Sequence, residues 1–413
     1  VMPPSLSQEI LQINRGDDLL EVDRTSRILF GGRLINYPLR PLNALRSLGL
    51  RGAGKAVLDY GAMKLGNLLS GDATEETFER WALNRFGRHL YEIYFKGYTE
   101  KTWGIPCARL SADFAEQRIK GLSFREAVKD AIFKKGQDES LVRRFLYPRY
   151  GFGQIPDGMA ASIREPNRIL TRRPVVGVEH DGKRIRGVVT ESPDGREERQ
   201  PCCEFISSIP ISALAGMLRP APPPEALQAA KDLRYRDMVV LTLFLDAAQV
   251  TPDQWIYVPS QKIGFCRFHE PKNWSPEMAP PDRTALVVEY FCQQGDETWS
   301  ASDAELASRA VEDLAATGFI ERDWLHDYMT FHMPKAYPVY EIGYRQSLQT
   351  LEDYLARFEN LYNVGRNATF LYTSSDHYID MGLKAAENVL GYEHDLRLIG
   401  RESGYAETLS KEE

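Results

Sequence analysis

The chain has 413 residues, with 51 Lys+Arg against 58 Asp+Glu and a net charge of −7. That length corresponds to roughly two to three domains and can bury sizeable cores. At 43% hydrophobic and 26% charged residues, disorder, collagen-like repeats and a small disulfide scaffold are excluded. The acidic balance speaks against a dedicated nucleic-acid binder, which needs a basic face. The longest near-apolar run, 238–245, is far short of the ~20 residues of a membrane-spanning helix and reads as a buried strand.

Residues 26–36 read as a hairpin turning at Gly31-Gly32, a pair that tolerates positive φ. From about 42 to 140 the pattern is helical. Segments are expected over 74–86, with Glu75 and Glu76 at the favourable end of the dipole, over 88–103, stopped by Gly104 and Pro106, and over 111–120. The stretch 147–153 reads as a glycine-punctuated loop, followed by a helix over 157–164. Short strands are expected at 175–178, 187–190 and 204–208, around Asp181-Gly182 and Asp194-Gly195 turns. Longer ones follow at 239–245, 255–258, 285–291 and 328–333, interrupted by a helix over 303–317. A helix (345–358), a strand (361–365) and a helix (376–390, ended by Gly391) close the chain. The architecture is α+β with interleaved, discontinuous domains.

Five cysteines, two of them adjacent (Cys202, Cys203) and none in Cys-x-x-Cys spacing, favour a reducing cytoplasm over a disulfide framework. Seven scattered histidines give no metal-site pattern. No G-x-G-x-x-G fingerprint, P-loop, G-x-S-x-G or H-E-x-x-H occurs. Three segments remain where chemistry could sit. In the last strand-loop-helix, Gly365 allows a close approach to a ligand. Asp376 reads there as an N-cap, and Ile379, Leu383, Ala386 and Leu390 as one apolar face. A helix start of this kind suits an anion or an electron-rich ring; an ordinary capped helix docked on a sheet is the plain alternative. In 94–104, Phe95, Thr99 and Trp103 share a helical face beside Tyr98 and Thr102. Such a face could stack on a planar ring or simply be core. The glycines of 147–153 could let backbone approach a flat cofactor, or make a plain turn.

Tyr98-Thr99-Glu100-Lys101-Thr102-Trp103-Gly104 resembles the substrate-domain motif of UDP-galactopyranose mutases. The hairpin exit Asn36-Tyr37-Pro38-Leu39, the segment Arg267-Phe268-His269-Glu270-Pro271-Lys272-Asn273, Tyr337-Pro338-Val339 and the closing run from Gly365-Arg366 through Tyr372 to Asp376 are similar as well. On these residues, spanning roughly 26 to 390, the chain resembles the FAD-dependent amine-oxidase superfamily, in the branch near UDP-galactopyranose mutase and protoporphyrinogen-oxidase-like oxidoreductases. The resemblance implies FAD in a discontinuous Rossmann-like domain, an α/β FAD-binding fold, with a helical substrate domain and an antiparallel sheet. It also implies an N-terminal glycine-fingerprint unit ahead of Val1, so the chain is expected to be an N-terminally truncated or diverged form, incomplete at that end. The expected divisions are 1–37 (part of the substrate sheet), 38–140 (helical substrate domain), 141–215 (partial FAD-binding domain), 216–345 (antiparallel-sheet substrate domain) and 346–413 (C-terminal FAD-binding element).

By the same resemblance, Gly365, Arg366, Asp376 and Ile379 would face the flavin side and Val176 the adenine. Tyr98, Thr99 and Trp103 match positions around a uridine, and Tyr337 and Tyr372 positions around a diphosphate and sugar. Two departures stand out. Glu289-Tyr290 is followed by Phe291-Cys292 rather than Ser-Arg, leaving Arg118 or Arg267 to grip a diphosphate, and Ser374 stands where an Asp is usual. The implied activity is an FAD-dependent oxidoreductase moving hydride from a C–N or C–C bond to flavin N5. The alternative is a mutase-type isomerase using reduced FAD as nucleophile, and a third reading is a fragment without flavin or activity. No side chain is expected as acid or base, and no metal. The expected partner is a small molecule, a nucleotide sugar or an amine, with no nucleic acid and no membrane; a homodimer is left open.

Overall fold

The computed structural model describes residues 19–37, 52, 54–66, 75–118 and 144–400. Period-two alternation in the sequence sets its strands. In chain order they are β1 (Leu19–Asp23), β2 (Ser26–Phe30), β3 (Arg33–Tyr37), β4 (Arg144–Pro148), β5 (Val175–His180), β6 (Ile185–Glu191), β7 (Glu197–Pro201), β8 (Phe205–Ser207), β9 (Leu218–Arg219), β10 (Tyr235–Leu245), β11 (Trp255–Tyr257), β12 (Arg267–His269), β13 (Thr284–Cys292), β14 (Leu325–Pro338) and β15 (Leu361–Asn363). Seven of them form one sheet in the order β14-β10-β13-β12-β11-β2-β3. It is antiparallel throughout, apart from the parallel neighbours β11 and β2.

Successive side chains of a strand point to opposite faces, so this sheet has two sides of different character. On one, Val239, Leu241, Leu243, Ile256, Phe268, Leu286, Val288 and Tyr290 are buried in a core with Leu306, Ala310 and Leu314. Those last three lie on one stripe of a helix (Asp303–Ala316) that starts with a capping box between Ser302 and Glu305. The register places Val240, Glu289, Arg267, Tyr257 and Ile28 in one row across the other face, with Thr242, Val287, His269 and Trp255 in the next.

A four-stranded sheet, β7-β6-β5-β9, and a two-stranded parallel pair, β8-β15, make up a second body of structure. Val178, Ile185, Ile211, Leu214, Leu348, Leu351 and Phe370 share its core. β8 and β15 lie some 155 residues apart in sequence yet pair Ile206 with Tyr362, which is the discontinuity expected of this half of the chain. The helical region has a third core around Phe78, Trp81, Phe86, Leu90, Trp103 and Leu110.

Several expected elements differ in detail. The helix placed at 74–86 begins at Phe78, because Thr77 is its N-cap and accepts from the Arg80 N–H. Glu75, expected in its first turn, instead receives Asn84 and Arg85. The break expected before residue 88 is real: Gly87 has φ +77 inside Phe78–Leu90. The segment 88–103, expected as one α-helix, runs through a π-helical stretch (Tyr91–Lys96) before Gly97–Trp103. In the stretch read as a loop, residues 147 and 148 belong to β4, which pairs with β1, and the helix expected at 157–164 is Gln154–Ser162. β7 was not expected, because its sequence, Glu-Glu-Arg-Gln-Pro, is polar on both faces. Expectations within 38–51, 67–74 and 119–143 lie outside the described residues.

The closing helix, Ser375–Val389, carries the largest correction. Its N-cap is Ser374 rather than Asp376, which sits in the first turn. Its buried side chains are His377, Met381 and Ala385, whereas Leu383 and Leu390 are exposed. Ile379 packs with Ile155 and Met159. The stripe chosen for its leucines is therefore not the core face; smaller residues and a histidine fit closer to the sheet.

Candidate functional site

The site begins at Gly97–Trp103 and its end at Gly104. Gly104 closes that helix in the left-handed region, φ +67, and a Cβ there would lie 2.7 Å from the Arg236 guanidinium. Glycine is therefore required twice over, by conformation and by space. Buried Arg236 donates to the Thr102 carbonyl (3.0 Å) and the Phe291 carbonyl (2.8 Å), tying this helix to β13. Lys101 reaches the carbonyls of Val258 (3.1 Å), Ser260 (2.8 Å) and Phe265 (2.6 Å), and burial lowers its pKa. The motif lysine is thus a clamp on the loop between β11 and β12. Gln261 adds a bond from the loop to the Gly97 carbonyl, 2.6 Å.

Trp103 projects from this helix into a cluster of rings. Its indole lies edge-on to Tyr337 (6.3 Å between centroids), Tyr372 (5.8 Å) and Phe114 (4.8 Å). Tyr337 and Tyr372 meet at 5.1 Å, and Phe291 stacks on Tyr337 at 5.5 Å. At the centre stands Arg366, its Cζ 4.6 Å from the Tyr337 centroid, 5.2 Å from Tyr372 and 5.6 Å from Tyr378. Its Nε donates to the Tyr378 hydroxyl (3.2 Å) and its Nη1 to the Ala336 carbonyl (3.3 Å). Burial works against this charge, but the tyrosines around it keep its pKa above the ordinary arginine value. Among the described residues no carboxylate forms an ion pair with it. Cation–π contacts hold a guanidinium in place without cancelling its charge.

A second arginine flanks the same rings. Arg267 on β12 pairs across strands with Glu289 on β13, its Nε 2.7 Å and Nη2 2.6 Å from Glu289 Oε2. The other carboxylate oxygen faces His269 Nδ1 at 3.6 Å, and the His269 ring stacks on Trp274 at 4.8 Å. Burial alone would raise the Glu289 pKa, yet Arg267 and His269 beside it bring it down to about 2. Arg267 is held protonated by the same carboxylate, against the effect of its own burial. Unlike Arg366, it is electrically compensated.

The residues expected from sequence divide between this cluster and its surroundings. Trp103, Tyr337, Tyr372 and Arg366 come together in one place. Tyr98 lies at its border, edge-on to Tyr257 at 5.9 Å, with its phenol pKa pushed well up by burial; Thr99 is buried on the same helix. Gly365 opens the short turn Gly365–Ala368 at φ +82, with nothing within 4 Å of where a Cβ would stand. Asp376 is further along the chain, where burial would raise its pKa but the His377 and Ser374 side chains bring it to about 2. Val176 stands on β5, its carbonyl accepting from Arg219, and Ile379 packs toward Ile155; neither has a contact that joins it to the Arg366 box. Of the two arginines expected to substitute in diphosphate binding, Arg267 faces the box, and the Arg118 side chain lies outside the described residues. Glu289, Phe291, Tyr257 and Tyr378 were missed as site residues. The alternation of β12 and β13 could have found the first two, since it puts Arg267, Glu289 and Phe291 on the face opposite the core.

A sheet with a buried core on one face and a ring-lined cationic box on the other, joined to a discontinuous parallel-strand element, defines the fold of the amine-oxidase superfamily of flavoproteins. No family model matches the sequence. Solved structures do resemble the chain. A crystal structure of reduced UDP-galactopyranose mutase superposes with a TM-score of 0.79 over 98% of this chain and 84% of that one, at 18% identity. A putative protoporphyrinogen oxidase from Exiguobacterium sp. 255-15 gives 0.63 over 92% and 85%, at 16% identity. Putrescine oxidase bound to putrescine gives 0.57 over 95% and 87%, at 14% identity. At these identities the likeness extends to the fold, and the fold is the one the sequence resemblance implied. No helix among the described residues is long and apolar enough to cross a membrane, and none of their His, Cys, Asp and Glu side chains group as a metal site.

Proposed function

We propose that this chain belongs to a flavin-dependent enzyme that acts on a small molecule bearing an oxyanion, in the manner of the nucleotide-sugar mutases rather than of an amine oxidase. The observation that carries the reading is Arg366, a buried guanidinium surrounded by Tyr337, Tyr372 and Tyr378 with no carboxylate to neutralise it. A phosphate or carboxylate gains a charge-assisted hydrogen bond there. A protonated amine would meet uncompensated like charge in a place where water screens it poorly.

The residues around Gly365 fit a bound FAD. Its backbone is open to a flat group, and Asn363 Oδ1 and Asn367 Oδ1, on either side, are buried acceptors without a hydrogen-bond partner. Such acceptors suit the ring N–H or hydroxyl donors of a flavin nucleotide. The start of Ser375–Val389 adds the partial positive charge of a helix N-terminus. Bound, a flavin supplies an electron-rich ring that takes up hydride or, once reduced, acts as a nucleophile. In this reading Arg366 binds the substrate oxyanion. Trp103, Phe291 and Tyr372 exclude water, and the compensated Arg267–Glu289 pair adds no net charge.

Hydride transfer from a C–C bond of a singly anionic substrate is the second reading. It is favoured by Phe291-Cys292 in place of a second diphosphate-binding arginine, and by Arg236, whose donors are taken up by backbone carbonyls.

The test is calorimetry with UDP and, as a cationic control, putrescine, together with the visible spectrum after addition of FAD and gel filtration. UDP is expected to bind and putrescine not to; Arg366→Gln should weaken UDP by about tenfold or more, the size of one charged hydrogen bond. Preference for putrescine, or UDP affinity untouched by Arg366→Gln, would refute the oxyanion reading. A colourless protein after FAD addition would count against cofactor binding by this chain.

A further inference from the structure

We infer that the buried Arg267–Glu289 pair is a positioning device that commits the Tyr337 hydroxyl to donate a hydrogen bond to the substrate oxyanion. This rests on the oxyanion reading of the site and adds a second, uncharged grip to Arg366. A guanidinium only donates. Arg267 Nη2 carries two hydrogens and has two acceptors, Glu289 Oε2 at 2.6 Å and the Tyr337 hydroxyl oxygen at 3.3 Å. Tyr337 therefore receives a hydrogen bond at its oxygen, and its own proton must point elsewhere. Among the described residues no acceptor takes that proton, although Tyr337 is only 8% exposed. Buried donors of this kind call for a partner, and a ligand oxygen bound by Arg366, whose Cζ lies 4.6 Å from the same ring, supplies one.

Glu289 makes the arrangement rigid. Both Nε and Nη2 of Arg267 converge on its Oε2, which fixes the plane of the fork, and the Phe291 ring lies 5.6 Å from the guanidinium carbon. Rotation of Arg267 away from Tyr337 would break the pair. Lysine at this position could keep the charge but not the fork. Arg267 and Glu289 thus act through Tyr337 and are positioning residues; the group that touches the ligand is the phenol.

A double-mutant cycle on UDP affinity tests this, with Tyr337→Phe, Arg267→Lys and the double variant, each checked for an unchanged melting temperature. Each single substitution should weaken UDP by about tenfold, and the double no more than either one, because both remove the same hydrogen bond. A 3-fluorotyrosine placed at 337 gives an independent readout. Its ¹⁹F resonance should move on addition of UDP in the parent chain and much less with Arg267→Lys. Additive losses in the cycle, or an equal ¹⁹F response with and without Arg267, would overturn the inference while leaving UDP binding itself intact. Absence of UDP binding by the parent chain would overturn the oxyanion reading and this inference together.

Discussion

The two faces of the seven-stranded sheet are built by the same strands and differ in almost everything else. Toward the Asp303–Ala316 helix the strands present Val239, Leu241, Leu243, Leu286 and Val288, a surface that aliphatic burial alone accounts for. One residue along, the opposite face presents Arg267, Glu289, His269 and Phe291, together with the aromatic wall around Arg366. Stability resides mainly on the first face and recognition on the second, which explains how one sheet tolerates buried charge. The aliphatic side fixes the register, and the register delivers Arg267 opposite Glu289. Evolution can then alter the second face with little risk to the first, except at the ion pair, where the two roles meet.

That exception gives the largest expected effect. Glu289→Ala leaves Arg267 buried without its partner and should cost about 3–5 kcal/mol in urea unfolding, the range for breaking a buried pair. A cost near zero would mean that the pair is no firmer than a surface one. Leu241→Ala, on the aliphatic face, should cost about 2–5 kcal/mol through lost burial and a cavity and leave the UDP affinity of the folded protein unchanged. A parallel loss of affinity would show that the two faces are not separable. Acid sharpens the same contrast. Glu289 has its pKa lowered from 4.5 to about 2 in the folded chain, so its contribution is present above the unfolded value and is lost as pH falls from about 4.5 toward 2. By linkage this amounts to about 3 kcal/mol, and Glu289→Gln should flatten the stability profile in that window. A profile that stays steep assigns the acid sensitivity to other carboxylates.

How much of this was legible in the sequence depends on the distance over which each signal acts. Strands such as β10 and β13, and the capped helix at 303, were readable because alternation, helical spacing and a Ser-x-x-Glu box are local. The motif around Tyr98–Trp103 pointed to the right region, yet it could not show that Lys101 is spent on three carbonyls, 157–164 residues away in sequence. Gly365 and Arg366 were singled out, but the absence of a carboxylate beside Arg366 is a property of packing and has no trace in the chain order. The apolar stripe of the last helix misled for a related reason. Leu383 and Leu390 are larger than Met381 and Ala385 are close-fitting, and which stripe docks is decided by the surface it meets. Glu289 was read only as part of a strand motif, because pairing across β12 and β13 needs the register, which the residues of one strand do not contain.

The smallest expected effect lies at the rim of the second face. Phe331 on β14 is opposite Val240, in the same row as Glu289, but it stands at the edge of the sheet and is 54% exposed. Its flanking same-face neighbours, Met329 and Met333, are exposed as well. If the recognition face ends before this edge, Phe331→Ser removes little buried area, and the change in unfolding free energy should stay within about 0.5 kcal/mol, with UDP affinity unchanged. A loss above about 1 kcal/mol that grows with protein concentration would mean that a second copy covers the edge strand, since an uncovered edge invites strand pairing. A loss of UDP affinity at constant stability would instead extend the substrate surface from the Arg366 box along β10 to β14. Urea unfolding at two protein concentrations, read beside calorimetry on the same samples, separates these outcomes because only association makes the stability depend on concentration.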